Sequence, residues 1–236
     1  MMKVILASQN AHKAEEMAAS MPGFEISAAP YAIEVDEDCP DFMGNASKKA
    51  RAYAEAFGGH VLADDSGLSV LALEGAPGVH SARFAVIGPD VDPDPDRTAA
   101  NNRKLLRLMT GVENREAYFT CALSFISRDH EMIQKLKGYQ APEHVSLRFW
   151  DHDGQICDLN SDHILEAEIL FEARSYGCIL CEARGGGGFG YDPLFYCPET
   201  DCTFAELSKT QKLAVSHRGR ALKQLREIFA SLGALI

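Results

Sequence analysis

The feature that most constrains this chain is a repeated local pattern, a short apolar run that stops at a polar turn. Lys3-Val4-Ile5-Leu6-Ala7 stops at Ser8-Gln9-Asn10, and Val61-Leu62-Ala63 runs into Asp64-Asp65-Ser66-Gly67. Apolar runs this short, with no alternation, suit strands buried on both faces of a sheet covered by helices. Helical stretches stand beside them. One covers His12 to Ala19; another covers Asn45 to Phe57, where alanine recurs at 46, 50, 52, 54 and 56 before Gly58-Gly59 ends it. Open α/β sheets bind ligands at the carboxyl ends of their strands, so Asp64 to Gly67 is expected to be an acidic turn at such an edge.

The remaining elements follow from periodicity. Phe24 to Ala28 alternates as a strand, and Ala117 to Ile126 is rich in aromatic and aliphatic residues as a strand should be. Thr98 to Met109 is an amphipathic helix, and Arg218 to Leu232 carries Ala221, Leu222, Leu225, Ile228, Phe229 and Leu232 at helical spacing. Asp36 to Asp41 forms an acidic loop, and Pro89 to Pro95 a proline- and aspartate-rich one. The weakest pattern runs from Arg128 to Leu165, where one strand, Val145 to Trp150, precedes an Asp151-His152-Asp153-Gly154 turn.

Composition then removes whole classes of function. At 236 residues the chain has room for one large α/β domain. A net charge of −11 opposes general nucleic-acid binding, which needs cations to displace counterions from a phosphate backbone. No stretch approaches the roughly 18 apolar residues of a membrane span, and the N-terminal apolar run is too short for a signal peptide. Seven cysteines, an odd number, fit a reducing cytoplasm. Cys178-x2-Cys181 with Cys197-x4-Cys202 loosely matches a structural zinc pattern, although the intervening glycine-rich segment reads as site rather than knuckle.

Three segments carry chemistry. Ser8-Gln9-Asn10-Ala11-His12-Lys13 opens a helix, whose unpaired N–H groups suit phosphate oxygens, with Lys13 adding a full charge. Taken alone, it is more simply a capped helix with a surface lysine. Asp64-Asp65, with Lys48 and Lys49 on the preceding helix, are either solvated loop carboxylates or ligands for a hard cation beside phosphates. Gly185 to Pro193 holds four consecutive glycines and then Phe189, able to stack on a base, and Asp192, able to accept hydrogen bonds. Downstream, Ser216-His217-Arg218 supplies several donors at a helix start, and a flexible turn with a basic cap explains that much equally.

In combination these segments resemble the inosine-triphosphate pyrophosphatase (Ham1-like) family. Four blocks appear in the family's order. They are residues 7–13; Asn45-Ala46-Ser47-Lys48-Lys49-Ala50-Arg51; Ala63-Asp64-Asp65-Ser66-Gly67-Leu68 with residues 75–83; and Gly187-Gly188-Phe189-Gly190-Tyr191-Asp192-Pro193 with residues 216–222. Each block is weak alone; their order is what makes the resemblance specific.

The resemblance implies an α/β fold with a curved central mixed sheet flanked by helices, in two lobes around a nucleotide cleft, and a homodimer. It implies hydrolysis of non-standard purine nucleoside triphosphates (ITP, dITP and XTP) to the monophosphate and pyrophosphate, with Mg²⁺ as cofactor. Residue by residue, Ser8, Gln9, Asn10 and Lys13 would hold the triphosphate, with Lys49 reaching in. Asp65 would be the catalytic carboxylate and a metal ligand, with Ser66 beside it on the substrate. Glu37 would be the second metal carboxylate, although Glu34 and Asp36 are close enough to compete. Arg83 would face the nucleotide, Phe189, Gly190, Tyr191 and Asp192 would enclose the base, and Lys212, His217 and Arg218 would complete its pocket. The chain is expected to form one domain with an insertion at about 128–163. It departs from the family at Gly44, where a glutamate is common, and at Leu213, where an asparagine is. A same-fold enzyme with another nucleotide preference, a non-catalytic nucleotide-binding regulator and a zinc-stabilised interaction module are the competing readings.

Overall fold

The computed structural model describes residues 1–9, 11–88 and 90–234. Among these, the order is β1 (Met2–Leu6), α1 (Ala11–Ser20), β2 (Phe24–Ala28), α2 (Phe42–Phe57), β3 (His60–Val70), two 3-10 segments (Leu71–Leu73 and Gly78–Val86), α3 (Arg97–Leu108) and β4 (Glu116–Ser127). Then come α4 (His130–Lys137), β5 (Val145–Asp151), β6 (Ile164–Ile179), β7 (Phe195–Cys197), β8 (Cys202–Thr203), α5 (Lys209–Val215) and α6 (His217–Ser231). The strands form one mixed sheet in the order β2-β1-β3-β4-β6-β7-β8, with β5 also on β6. β1 runs parallel to both β2 and β3, whereas β5–β6, β6–β7 and β7–β8 are antiparallel.

Helix ends are set locally. Asp41, Asp96 and Asp129 cap α2, α3 and α4 by accepting a hydrogen bond from the backbone N–H three residues on. Ser208 and Gln211 form a capping box on α5. Gly58 closes α2 at φ +66°, a conformation that costs glycine little.

The chain packs as two compact units. The first comprises Met1–Asp65, Ala122–Glu172 and the segment from Ala221 onward; the second comprises Ser66–Cys121 and Ala173–Arg220. Strands β3, β4 and β6 give residues to both. The first unit is centred on Leu6, Met17, Leu62, Phe125, Phe171 and Phe229, with Phe24 and Phe125 each edge-on to Phe229 at 4.8 and 4.9 Å. The second is centred on Leu68, Leu105, Phe119, Phe195 and Phe204. Phe195 lies 4.8 Å from both Phe119 and Phe204.

Two expectations are corrected. Asp64 to Gly67 is no turn: β3 continues through it to Val70. Two adjacent carboxylates survive inside a strand because each has a partner, Lys13 for Asp64 and Asn45 for Asp65. Residues 164–179, in which no strand was expected, form the longest strand of the sheet. Nor do the cysteines assemble as a zinc set. All seven are free thiols, Cys197 and Cys202 being partners on β7 and β8. Among the described residues no three His, Cys, Asp or Glu side chains stand close enough together to hold a metal by themselves.

Candidate active site

In the first unit the organising element is α2. Asn45 and Lys49 stand one turn apart on the same face, as i and i+4 residues must. The Lys49 ammonium lies 2.5 Å from the Glu37 carboxylate and 3.2 Å from the Asp64 carbonyl. Burial works against that charge, yet its hydrogen bond to Glu37 and the charges of Glu37, Asp64 and Asp65 outweigh burial, so its pKa is raised above the ordinary lysine value. Lys13, from α1, forms an ion pair with the buried Asp64 carboxylate. Asn45 donates through Nδ2 to Asp65 Oδ2 at 3.0 Å.

Ser8, Gln9, Glu37 and Lys49 share the wall of a pocket of about 280 Å³, which Val35 and Tyr53 also line. Four residues drawn from three separate sequence blocks are thus brought together. Asn10 lies outside the described residues. Of the three competing carboxylates, Glu37 is the one in contact with Lys49; Glu34 and Asp36 line a separate polar depression. Asp38 next in line pairs with Lys48 at 2.7 Å, so the acidic loop is tied to α2 at successive residues.

The second unit holds a pocket of about 280 Å³ lined by Ser66, Phe119, Phe189, Tyr191, His217 and Arg218, among others. Gly190 and Asp192 also belong to its wall. The His217 ring stacks on Phe119 with centroids 4.7 Å apart, which fixes the imidazole plane. Phe189 is 61% exposed, with the Lys212 ammonium 4.5 Å and the Arg218 guanidinium 5.8 Å from its ring centre. Tyr191 is buried, which pushes its phenol pKa up, and its hydroxyl donates to the Ser81 carbonyl at 2.9 Å.

Asp192, in the wall of this pocket, also holds its loop. Its buried carboxylate accepts from the Phe189 backbone N–H at 2.7 Å and from Lys212, so it anchors the loop that carries Phe189. A Cβ on Gly188 would stand 2.1 Å from that carboxylate, which is why this turn needs glycine, here at φ +72°. Arg83 does not reach the pocket. It is exposed where the 3-10 segment kinks, with Nη2 3.3 Å from His80 Nδ1.

Sequence reasoning missed Asn45 and Asn101. Asn101 is buried, accepts from the Ala85 N–H at 2.6 Å and donates to the Ser81 carbonyl at 3.1 Å, shaping the floor of the second-unit pocket. The available signal was local: asparagine is a poor choice inside a helix unless its amide is used.

For a metal, the first unit offers Glu37 and Asp65, both hard oxygen donors, the Asp64 carboxylate being paired with Lys13. That chemistry fits an ion such as Mg²⁺, which takes one or two carboxylates and fills its remaining positions with water and phosphate oxygens. The donor set does not fit a soft-metal site.

Fold and site together define an α/β protein equipped with a lysine–carboxylate cluster for an anionic ligand and an aromatic-walled pocket for a planar one. The sequence profile of the Ham1 family matches residues 4–143 and 157–228, and the chain belongs to that family. It is 40% identical to a dITP/XTP pyrophosphatase of Desulforamulus reducens, over 98% of this chain and 97% of that protein. A dITP/XTP pyrophosphatase of Thermosynechococcus vestitus is 37% identical over 98% and 96% respectively. Among solved structures, the Ham1 protein of Staphylococcus aureus superimposes with a TM-score of 0.70 at 30% identity, covering 97% of this chain and 98% of that one. A HAM1 protein from Coxiella burnetii gives 0.70 at 32% identity, over 98% and 100%. The family profile passes over residues 144–156, which include β5.

Proposed function

We propose that this chain is a Mg²⁺-dependent nucleoside-triphosphate pyrophosphatase. It acts on the non-standard purine nucleotides ITP, dITP and XTP and releases the monophosphate and pyrophosphate. The observation that carries this reading is the meeting of Lys13 and Lys49 with the carboxylates of Asp64, Asp65 and Glu37. Lysines alone would suffice to bind an anion. Carboxylates facing a polyanion would repel it, and they belong there only if they hold a cation or take a proton.

Bound triphosphate brings about four negative charges, which Lys13 and Lys49 meet at the cost of loosening their present carboxylate partners. Asp65 takes the proton from the attacking water. As the water oxygen bonds to the α-phosphorus, the bond to the α–β bridging oxygen breaks and pyrophosphate leaves with that electron pair. Asp65 and Glu37 would hold Mg²⁺, which would neutralise phosphate charge and acidify water. Ser66, next to Asp65 in the chain, lines the pocket that takes the base. Phe189 supplies a stacking face there, and the donors of His217 and Arg218 suit a 6-oxo purine. A 6-amino group would set donor against donor, a mismatch of about 1–3 kcal/mol per buried group. The net charge of −11 and the seven free thiols suit work on free nucleotides in a reducing cytoplasm.

The test is pyrophosphate release from ITP, XTP, GTP and ATP, with Mg²⁺ and with chelator, alongside Asp65→Asn. Expected is hydrolysis of the first two, abolished by chelator and reduced about 10²–10⁴-fold in Asp65→Asn. Release from all four at equal rates would remove the base-pocket reading, and release from none would remove the enzyme.

A further inference from the structure

We infer that Asn45 is a positioning residue for this reaction: its carboxamide fixes the Asp65 carboxylate and the Glu37-bearing loop relative to each other. The inference rests on the reaction proposed above, in which Asp65 and Glu37 work together.

Asn45 is 1% exposed, in the first turn of α2. Its Nδ2 donates to Asp65 Oδ2 at 3.0 Å, and its Oδ1 accepts from the Cys39 backbone N–H at 3.0 Å. The orientation of an amide is often ambiguous, but here both partners dictate it. A backbone N–H can only donate and an ionised carboxylate can only accept, so oxygen faces Cys39 and nitrogen faces Asp65. Aspartate in its place could not donate, alanine could do neither, and glutamine would put both groups one methylene too far. Cys39 lies two residues from Glu37, whose carboxylate is itself held by Lys49 one helical turn beyond Asn45. One buried side chain thereby joins the acidic loop, α2 and β3.

The residue before it supports the same arrangement. A Cβ on Gly44 would lie 2.8 Å from Cys39 Cβ and 3.1 Å from its Sγ. Glycine at 44 thus leaves room for the Cys39 side chain beside the first turn of α2.

Groups that orient metal ligands typically change metal affinity or activity about 10–100-fold when removed. The experiment is titration of Mn²⁺, as a spectroscopic substitute for Mg²⁺, into the full chain bearing a non-hydrolysable inosine triphosphate. It compares wild type, Asn45→Ala and Asn45→Asp by electron paramagnetic resonance, with kcat and KM for ITP and thermal melting alongside. Asn45→Ala is expected to weaken Mn²⁺ binding at least about tenfold and lower kcat in step, with KM for ITP within about twofold. Asn45→Asp keeps the acceptor for the Cys39 N–H but sets a second carboxylate against Asp65, so it is expected to melt below wild type and to lose kcat, and both variants are assayed at a temperature where thermal melting shows them folded. Wild-type Mn²⁺ affinity in Asn45→Ala, or wild-type kcat in Asn45→Asp, would overturn the role. A wild-type chain that neither binds Mn²⁺ nor turns over ITP would instead overturn the proposed reaction, so the two failures are distinguishable.

Discussion

The two units solve opposite problems with their functional residues. In the first, Lys13 and Lys49 are gathered with Glu37, Asp64 and Asp65 in a partly buried place, Lys13 paired with Asp64, Lys49 with Glu37, and Asp65 held by the Asn45 amide. In the second, the pocket is walled by aromatic rings and its polar groups are tied into the fold: Tyr191 to Ser81, Asn101 to Ser81 and Ala85, Asp192 to Phe189 and Lys212. The difference teaches where stability and function are coupled. Taking one charge from the first cluster strands its partner in a low-dielectric setting, so ligand-handling residues there also hold the fold. Taking the exposed Phe189 from the second removes an exposed ring and its contacts with the Lys212 and Arg218 cations, and takes away no charge.

The sharpest way to break this contrast is Lys13→Met. It removes the ion pair of the Asp64 carboxylate, 4% exposed, and is expected to destabilise the ligand-free chain by about 3 kcal/mol in urea denaturation. Phe189→Ala should leave the same urea curve in place and raise KM for ITP about tenfold with kcat unchanged, since stacking is worth about 1–3 kcal/mol per base. A comparable loss of stability in both variants would dissolve the distinction. Smaller again is Tyr191→Phe, which removes the 2.9 Å hydrogen bond to the Ser81 carbonyl. That carbonyl keeps the Asn101 amide as donor, so denaturation should show a loss of only about 1 kcal/mol.

The smallest effect concerns pH. The Lys49 pKa lies above the ordinary value of 10.5 in the folded chain, so folding favours its protonated form. The stability it contributes is complete below that ordinary value and is lost as pH rises through the folded one. Denaturation between pH 9 and 11.5 should show wild type losing a component that Lys49→Met lacks, and parallel curves would show that Lys49 is not stabilised by its carboxylates.

Much of the site was legible because it is written in short contiguous blocks. The Ser8–Lys13 turn, the Asn45–Arg51 helix face and the Phe189–Asp192 loop each announce themselves by residue type at local spacing. Asn45 carried only the signal that a helical asparagine has a use for its amide; which use it is depends on its two partners, six and twenty residues away. Arg83 stands apart from its block's other site residues, exposed at a kink in the 3-10 segment and beside His80.

By itself the sequence determined the α/β class, the ends of the main helices and the chemistry available, because caps, turns and apolar periodicity act over a few residues. Only the tertiary structure decided β6 and the middle of β3. Residues 164–173 of β6 read Ile-Leu-Glu-Ala-Glu-Ile-Leu-Phe-Glu-Ala, a composition that favours helix. They form a strand because Glu166 meets Arg51 and Arg128, and Glu168 meets Ser124, all at least 38 residues distant in the chain. The same holds for Asp64 and Asp65 inside β3. A buried carboxylate is affordable only where its partner stands, and partners that far apart are chosen by the fold.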